Sequence, residues 1–327
     1  MEPPVNIESL LNQNEKGDKE IEIIIFTKHL SSKHNFSMKT IKTLFSIVLI
    51  VFLSTRLSGQ NNQTNPKSAS AIIENIILHT GAPKIPNTVD VIKEGNPSTN
   101  VTGIVTCMFA TMDVMKQAIE KKCNLIIVHE PLFYNHLDET KDFQNDPVFL
   151  EKKKFIDDNH LIIWRFHDYI HSINPDGIET GMVEKLGWGK YAVKGSTEHF
   201  ILPETTLNEL LAYLKGIFGN NAFYVIGKPG MKLTSVALAV GAPGSMKHIR
   251  MLEDKNTDVL IAGESSQWET YEYMRDAVDQ GRKKAVIFLG HIPSEEAGMN
   301  YCAVWLKGFI KDIPITFISG GPSFWSY

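Results

Sequence analysis

The sequence predicts an α/β fold of two lobes, and three observations carry that prediction. Short apolar runs alternate along the chain with amphipathic stretches of ten or more residues, the pattern that parallel strands covered by helices produce. In the first half the runs lack polar alternation, so both faces of those strands should be covered. A stretch near residues 190 to 235, turn-rich around Pro203, separates two such series and marks where the lobes meet.

The elements follow in order. In the first series, Val101 to Met108 reads as a strand, Met112 to Lys122 as an amphipathic helix, and Asn124 to Val128 and Leu161 to Arg165 as apolar strands. The helix Asp176 to Leu186 closes it. After the turns, the capping box Thr206-Leu-Asn-Glu209 opens a helix over Leu207 to Phe218. The second series then runs strand Ala222 to Ile226, strand Ser235 to Val240, helix Ser245 to Asp254, strand Asp258 to Ala262 and helix Gln267 to Gln280. It ends with strand Lys284 to Leu289, helix Glu295 to Lys307 and strand Ile315 to Ser319. These limits set lobes at about 69–190 and 235–327, joined through 191–234.

Composition narrows the function. The 327 residues carry 33 Lys+Arg against 37 Asp+Glu, a formal net charge of -4, and 43% are hydrophobic. Collagenous, mucin-like and disordered chains are excluded by this balance, and it offers no broad basic face for a phosphate backbone, so no nucleic-acid partner is expected. Cys107, Cys123 and Cys302 are too few and too scattered for a disulfide framework or a Cys-x-x-Cys zinc site, and read as small buried hydrophobes.

Met38 to Gln60 has two lysines, an uncharged apolar run and then small residues, the layout of a secretory signal peptide. The run from Thr43 to Thr55 falls short of the roughly 20 residues that span a bilayer, and no cysteine follows to carry a lipid. We therefore expect cleavage near Gly59, export to the periplasm or medium, and no stable membrane anchor; an uncleaved signal anchor is the alternative. Met38 reads as the true start, residues 1–37 as a mis-assigned upstream segment, and 60–68 as a polar linker.

Open α/β sheets bind ligands at the carboxyl ends of their strands, and three of those ends carry histidine. Leu125-Ile-Ile-Val runs into His129-Glu130-Pro131; Leu161-Ile-Ile-Trp-Arg-Phe into His167 and His171; Val286-Ile-Phe-Leu-Gly into His291 and Glu295. Side chains four apart share one face of a helical turn. Four imidazoles and two carboxylates suit Zn, Fe or Mn better than Ca or Mg, and would serve two divalent ions if the carboxylates bridge. Asp168 and Asp176 leave plain hydrogen-bonding or capping roles open for His167 and His171. His136 and Asp138 are a spare ligand or proton donor, or part of a solvated acidic loop continued by Asp142 and Asp146. Gly241-Ala-Pro-Gly244 before a helix is a weak anion motif, and Glu264, which also follows a strand, is a candidate to face the cavity.

These blocks resemble the NIF-three-like dinuclear-metal proteins, often labelled GTP cyclohydrolase 1 type 2 homologues, from about Ala69 to the C-terminus. The resemblance rests on Asn124 to Phe133, His167 to Gly177, Val236 to Gly244, Asp258 to Glu264 and Gly290 to Glu295, in that order and spacing. Where the family has His-His-Pro this chain has His129-Glu130-Pro131, and where it has His-Thr-x-x-Asp this chain has His167 and His171. His129, His167, His291 and Glu295 match family ligands directly; Glu130 and His171 exchange a carboxylate and an imidazole between two positions. Trp268 lies close to where the family often has another His.

The resemblance implies two similar intertwined lobes with helices covering mixed sheets, a homo-hexameric ring with its metal sites facing an internal cavity, and cyclohydrolase-type attack of water on a purine ring. Export argues against GTP itself, because nucleotide pools are cytosolic. The expectation is a metal-dependent hydrolase of an unknown small molecule, with Glu130 or Glu295 relaying the proton. The alternatives are a non-catalytic metal-binding ring or scaffold, or a regulatory domain that has lost its metal.

Overall fold

The computed structural model describes residues 67–219 and 222–321. The upstream segment 1–37, the signal segment 38–59 and most of the linker lie outside the described residues. Among the described residues no helix is long and apolar enough to cross a membrane.

The strands in chain order are β1 (Ile92–Glu94), β2 (Ile104–Cys107), β3 (Leu125–Val128), β4 (Ile162–Arg165), β5 (His199–Thr206), β6 (Tyr224–Ile226), β7 (Lys232–Ala239), β8 (Val259–Ala262), β9 (Ala285–Phe288) and β10 (Ile315–Phe317). The helices are α1 (Ala69–Thr80), α2 (Met112–Glu120), α3 (Pro147–Asp158), α4 (Asp168–His171), α5 (Gly177–Leu186), α6 (Leu207–Phe218), α7 (Ser245–Glu253), α8 (Glu272–Asp279) and α9 (His291–Leu306). One sheet has the order β1-β4-β3-β2-β10 and the other β5-β7-β8-β9-β6. In the first, only β1 runs antiparallel to its neighbour; in the second, β7, β8 and β9 are parallel and the edges β5 and β6 antiparallel. This is the mixed α/β architecture that the alternating pattern predicts.

Strands β2, β3, β4, β8 and β9 are buried along their whole length, as their unbroken apolar character requires. The capping box at Thr206 forms with Glu209 as read from the sequence. Besides the single turn α4, two helices of 12 residues escaped the sequence reading: α1, capped by Ser68, and α3, where the Asp146 side chain accepts from Phe149 N–H and Pro147 takes the first turn. Strand β5 also escaped it. Its pairing with β7 breaks between Ile201 and Thr205, and Pro203 sits in that break on an edge strand, where the missing N–H costs no ladder bond.

The sheets do not follow the chain limits of the expected lobes. Strands β5 and β6 fall within 191–234 yet belong to the second sheet, and β10, at the end of the chain, pairs with β2 in the first. Helix α9 reinforces this interleaving. It starts directly after β9 of the second sheet and packs on β2 and β10 of the first, where Thr106 Oγ1 donates to the Met299 carbonyl at 2.8 Å. Its other neighbour is α5, and the two helices meet through glycine.

A methyl on Gly298 would stand 2.5 Å from Ile178 Cα, and one on Gly181 would stand 2.4 Å from the Ala297 carbonyl oxygen. Replacing a helical glycine by alanine ordinarily gains about 1 kcal/mol. Here the obstacle is backbone, so the helices must separate, at a cost of about 1–3 kcal/mol or more. Gly298→Ala is therefore expected to lower the urea midpoint, and a raised midpoint would contradict this packing.

Candidate metal centre

The carboxyl ends of β3 and β4 in one sheet and of β9 in the other open on the same space. Beyond β3 the chain bends, with His129 N–H donating to the Cys107 carbonyl and Glu130 N–H to that of Met108. Beyond β4, the buried Asp90 carboxylate accepts the backbone N–H groups of His167, Asp168 and Tyr169 at 2.8–2.9 Å. That bond set starts the single turn of α4, which places His171 on the same face as His167. Beyond β9, Gly290 (φ 93°) turns the chain so that His291 is the first residue of α9 and Glu295 lies one turn on. The sequence had placed the start of this helix at Glu295; Pro293 within the first turn, where no intrahelical N–H is needed, accounts for the late estimate.

All six predicted side chains come together. The His129 ring stacks on that of His167 at 4.6 Å between centroids, and His171 lies 5.1 Å from both. His291 Nε2 is 3.1 Å from Glu130 Oε1 and 3.0 Å from Glu295 Oε2, and His129 Nε2 is 3.6 Å from that same Glu295 oxygen. His129, His167 and His171 present donor atoms within 4.8 Å of one another, as do His129, Glu130 and Glu295. The two groups share His129, so the donors form one continuous set.

Each imidazole is oriented from behind. His129 Nδ1 contacts the Phe166 carbonyl at 3.3 Å, His167 Nδ1 the Asp168 carboxylate at 3.0 Å, His171 Nδ1 that of Asp176 at 2.7 Å, and His291 Nδ1 that of Glu264 at 3.1 Å. An oxygen acceptor at Nδ1 fixes the tautomer that leaves Nε2 as an electron-pair donor. Buried polar atoms normally find partners, yet His129 Nε2 is buried without a hydrogen bond, and the buried Glu295 Oε2 beside it meets only imidazoles, His291 Nε2 at 3.0 Å and His129 Nε2 at 3.6 Å. The donor set and the orphaned His129 Nε2 fit a bound cation.

The electrostatics agree. Burial pushes the His129 imidazole well below its ordinary value, helped by the neighbouring His171 and His167, so it is a neutral donor. Burial works in the same direction on His291, but hydrogen bonds to Glu130 and Glu264 and the Glu295 carboxylate overcome it and push His291 up to about 12. Glu130 is held below the usual carboxylate range: burial opposes ionisation, but His291, His167 and Arg165 outweigh it. His171 is raised by Asp176 against the effect of burial. Three carboxylates thus surround one imidazole, a surplus of negative charge where a cation would sit.

Sequence reasoning missed several supports. Arg165, fully buried, donates from Nε to the His129 carbonyl, from Nη1 to that of His136 and from Nη2 to Glu130 Oε2 at 3.4 Å. It is the last residue of β4, and an arginine ending an apolar strand was the available signal. Asp176 both caps α5, through Ile178 N–H and Glu179 N–H, and contacts His171 Nδ1, so the capping role that the sequence left open for it is present beside the cluster. The Gly241 motif is not an anion cradle. A Cβ on Gly241 would meet Glu295 Oε1 at 2.1 Å, and one on Gly263 would meet the Gly241 carbonyl at 2.2 Å. Gly241 clears the space that the Glu295 carboxylate fills, and Gly263 clears the space for the Gly241 backbone.

Asp138 does not belong to a solvated loop, since its side chain is buried and pairs with Lys93 at 3.0 Å. His136 is exposed, its ring 6.1 Å from that of His167. Trp268 stands exposed on a π-helical turn, Gln267–Tyr271. The three cysteines are buried and free.

Two interleaved mixed sheets with a His/Glu cluster at their facing strand ends define a class, and comparison with known proteins names it. The profile of Duf34/NIF3 (NGG1p interacting factor 3) matches residues 86–322, and the chain belongs to that family. A protein of Clostridium acetobutylicum named GTP cyclohydrolase 1 type 2 homolog is 26% identical over 232 residues, 68% of this chain and 82% of the relative. The fold is that of a Staphylococcus aureus hypothetical protein, at a TM-score of 0.62 and 15% identity over 80% of this chain and all of that one. A Bacillus cereus protein related to NIF3 superposes with a TM-score of 0.59 and 14% identity over 79% of this chain and 96% of its own.

Removing the Arg165 guanidinium would leave two buried carbonyls and Glu130 without their cation. Breaking a buried pair in this way costs roughly 3–5 kcal/mol. Arg165→Met is expected to lose that much in urea denaturation at pH 7, and a loss under about 1 kcal/mol would contradict the pairing.

Proposed function

We propose that the protein is a metal-dependent hydrolase of a small molecule, with two divalent ions, Zn, Fe or Mn, held by His129, Glu130, His167, His171, His291 and Glu295. The observation that carries this reading is the set of four imidazoles whose Nδ1 atoms are each tied to an outer oxygen and which gather with Glu130 and Glu295 around one small volume, where His291 Nε2 meets both carboxylates and would exchange them for a metal ion. Ions bound there would acidify water to a nucleophile near neutral pH and offset negative charge on the group under attack. The name carried by the Clostridium relative agrees with a hydrolytic reaction and leaves the substrate open.

The residues of this chain divide the remaining work. Glu130, tied to Arg165 and His291, stays anionic and contributes charge. Glu295, which meets His291 and His129 and no arginine, would accept the proton of the attacking water. Glu264 and Asp176 hold their histidines and do not touch the reacting groups. Assembly as a homo-hexamer and export through the Met38 to Gln60 leader complete the proposal, on the strength of the resemblance and the leader's layout.

Elemental analysis of the purified protein tests the centre. Close to two metal equivalents per subunit are expected, falling below one in His291→Ala; no metal in either protein rejects the reading. A panel of cyclic amides, phosphoesters and nucleotides, with and without chelator, tests the chemistry. Turnover of at least one compound, abolished by chelation, is expected, whereas a metal-loaded protein inert across the panel identifies a non-catalytic metal-binding ring. For export, mass spectrometry should find the N-terminus near Gln60, and an intact Met1 on protein recovered from cells would contradict it.

A further inference from the structure

A cavity of 690 Å³ opens beside the centre, with Glu130 and His291 in its wall together with Phe109, Tyr134 and Lys152. Lys152 sits on α3 and is 8% exposed. Its ammonium donates to the Leu132 carbonyl at 2.8 Å and lies 5.8 Å and 5.6 Å from the ring centroids of Phe133 and Tyr134. An ammonium has three donors, and here one is used. Among the described residues no carboxylate lies within ion-pair distance of it.

The other buried cations nearby are treated differently. Arg165 reaches Glu130 and two carbonyls, and Lys93 pairs with Asp138 at 3.0 Å. Asp138 acts on Lys152 only from a distance, and burial pulls the Lys152 ammonium down to about 8 against that carboxylate and the Cys107 thiol. A desolvated positive charge with one neutral partner disfavours folding unless something else is gained. A methionine would fill the same space without that cost. The adjoining loop carries strain as well, with Tyr134 at φ 51° and Asp138 at φ 58°, a left-handed conformation that side chains other than glycine seldom adopt.

We propose that Lys152 receives an anionic group of the substrate, a carboxylate or a phosphate, in the cavity beside the metal centre. The aromatic walls and the cavity's size suit a compact ring bearing that group. The assignment of this ligand to a substrate rests on the hydrolase reading; the anion site itself does not.

The test therefore uses purified full-length protein freed of metal by chelator, titrated with benzoate and with phenyl phosphate, and with benzyl alcohol as a neutral control. Saturable binding of at least one anion is expected, at least tenfold weaker in Lys152→Met, with no binding of the alcohol. The preferred anion identifies carboxylate or phosphate as the group received. Equal affinity in wild type and variant, or no saturable binding of either anion to wild type, overturns the proposal.

The pH profile of benzoate binding to wild type gives a readout independent of any variant. The anion stays ionised, so affinity should fall several-fold between pH 7 and 9.5 as Lys152 loses its proton near pH 8. The groups facing Lys152 are Asp138, Cys107 and Tyr134, and Glu130, His136 and His291 share the cavity wall; a flat profile overturns the proposal. Metal content in Lys152→Met should match wild type. Anion binding without metal in either protein sinks the centre and keeps Lys152, and full metal loading without anion binding does the reverse.

Discussion

The structure depends on one constraint: the carboxyl ends of two parallel strand sets must face each other at a distance set by side-chain length. Strands β3 and β4 supply His129, Glu130 and His167 from one sheet, and β9 supplies His291 from the other. What holds the sheets in that relation is α9, rooted in the second sheet and packed on the first. Because the same helix carries His291 and Glu295, the element that joins the sheets also brings one end's donors to the other's. Close packing between α9 and α5, through Gly298 and Gly181, then sets the position of the helix itself.

Orientation is a second layer built on that placement. A histidine at a strand end can rotate, and what limits it is the oxygen behind Nδ1. Three of those oxygens are carboxylates that have other tasks or partners: Asp176 caps α5, Asp168 receives Thr88 Oγ1 and Val89 N–H, and Glu264 follows β8. The fourth is a backbone carbonyl of Phe166. Tying ring orientation to caps and strand ends makes the cluster as rigid as the secondary structure around it, which is the preorganisation a charged ligand set requires.

The alternation of apolar runs with amphipathic stretches revealed most strands and helices of both sheets, because buried parallel strands and their covering helices impose unmistakable periods on the chain. The edges were harder. Strand β5 contains Pro203 and a register break that cut its apolar run to Phe200-Ile201-Leu202, and β1 is three residues long with Lys93 at its centre. The strand ends bearing His129, His167 and His291 were legible because position after an apolar run is a local property. The roles of Arg165 and Lys152 were not: an arginine ending an apolar strand signals a cation without naming its partner, and a lysine on an amphipathic helix looks the same whether it is paired, exposed or buried alone. Gly241 was misread for a related reason: the sequence shows that a side chain is missing there, and only the fold shows that Glu295 fills the space.

The exchange of Glu130 and His171 relative to the family pattern can be judged on physical grounds. A carboxylate placed at 130, largely buried, needs positive charge to remain ionised, and Arg165 stands behind it with His291 in front. An imidazole placed at 171 needs an acceptor at Nδ1 to present Nε2, and Asp176 lies 2.7 Å away. Either residue alone would upset the local charge. Glu130 beside an aspartate at 171 would add a fourth carboxylate to the three around the cluster, and His171 beside a histidine at 130 would leave Arg165 facing an imidazole. Taken together, the two changes conserve four imidazoles and two carboxylates while each newcomer has the partner its chemistry demands. The four imidazoles and two carboxylates thus stand together with each newcomer supported, a donor set that could hold a metal ion.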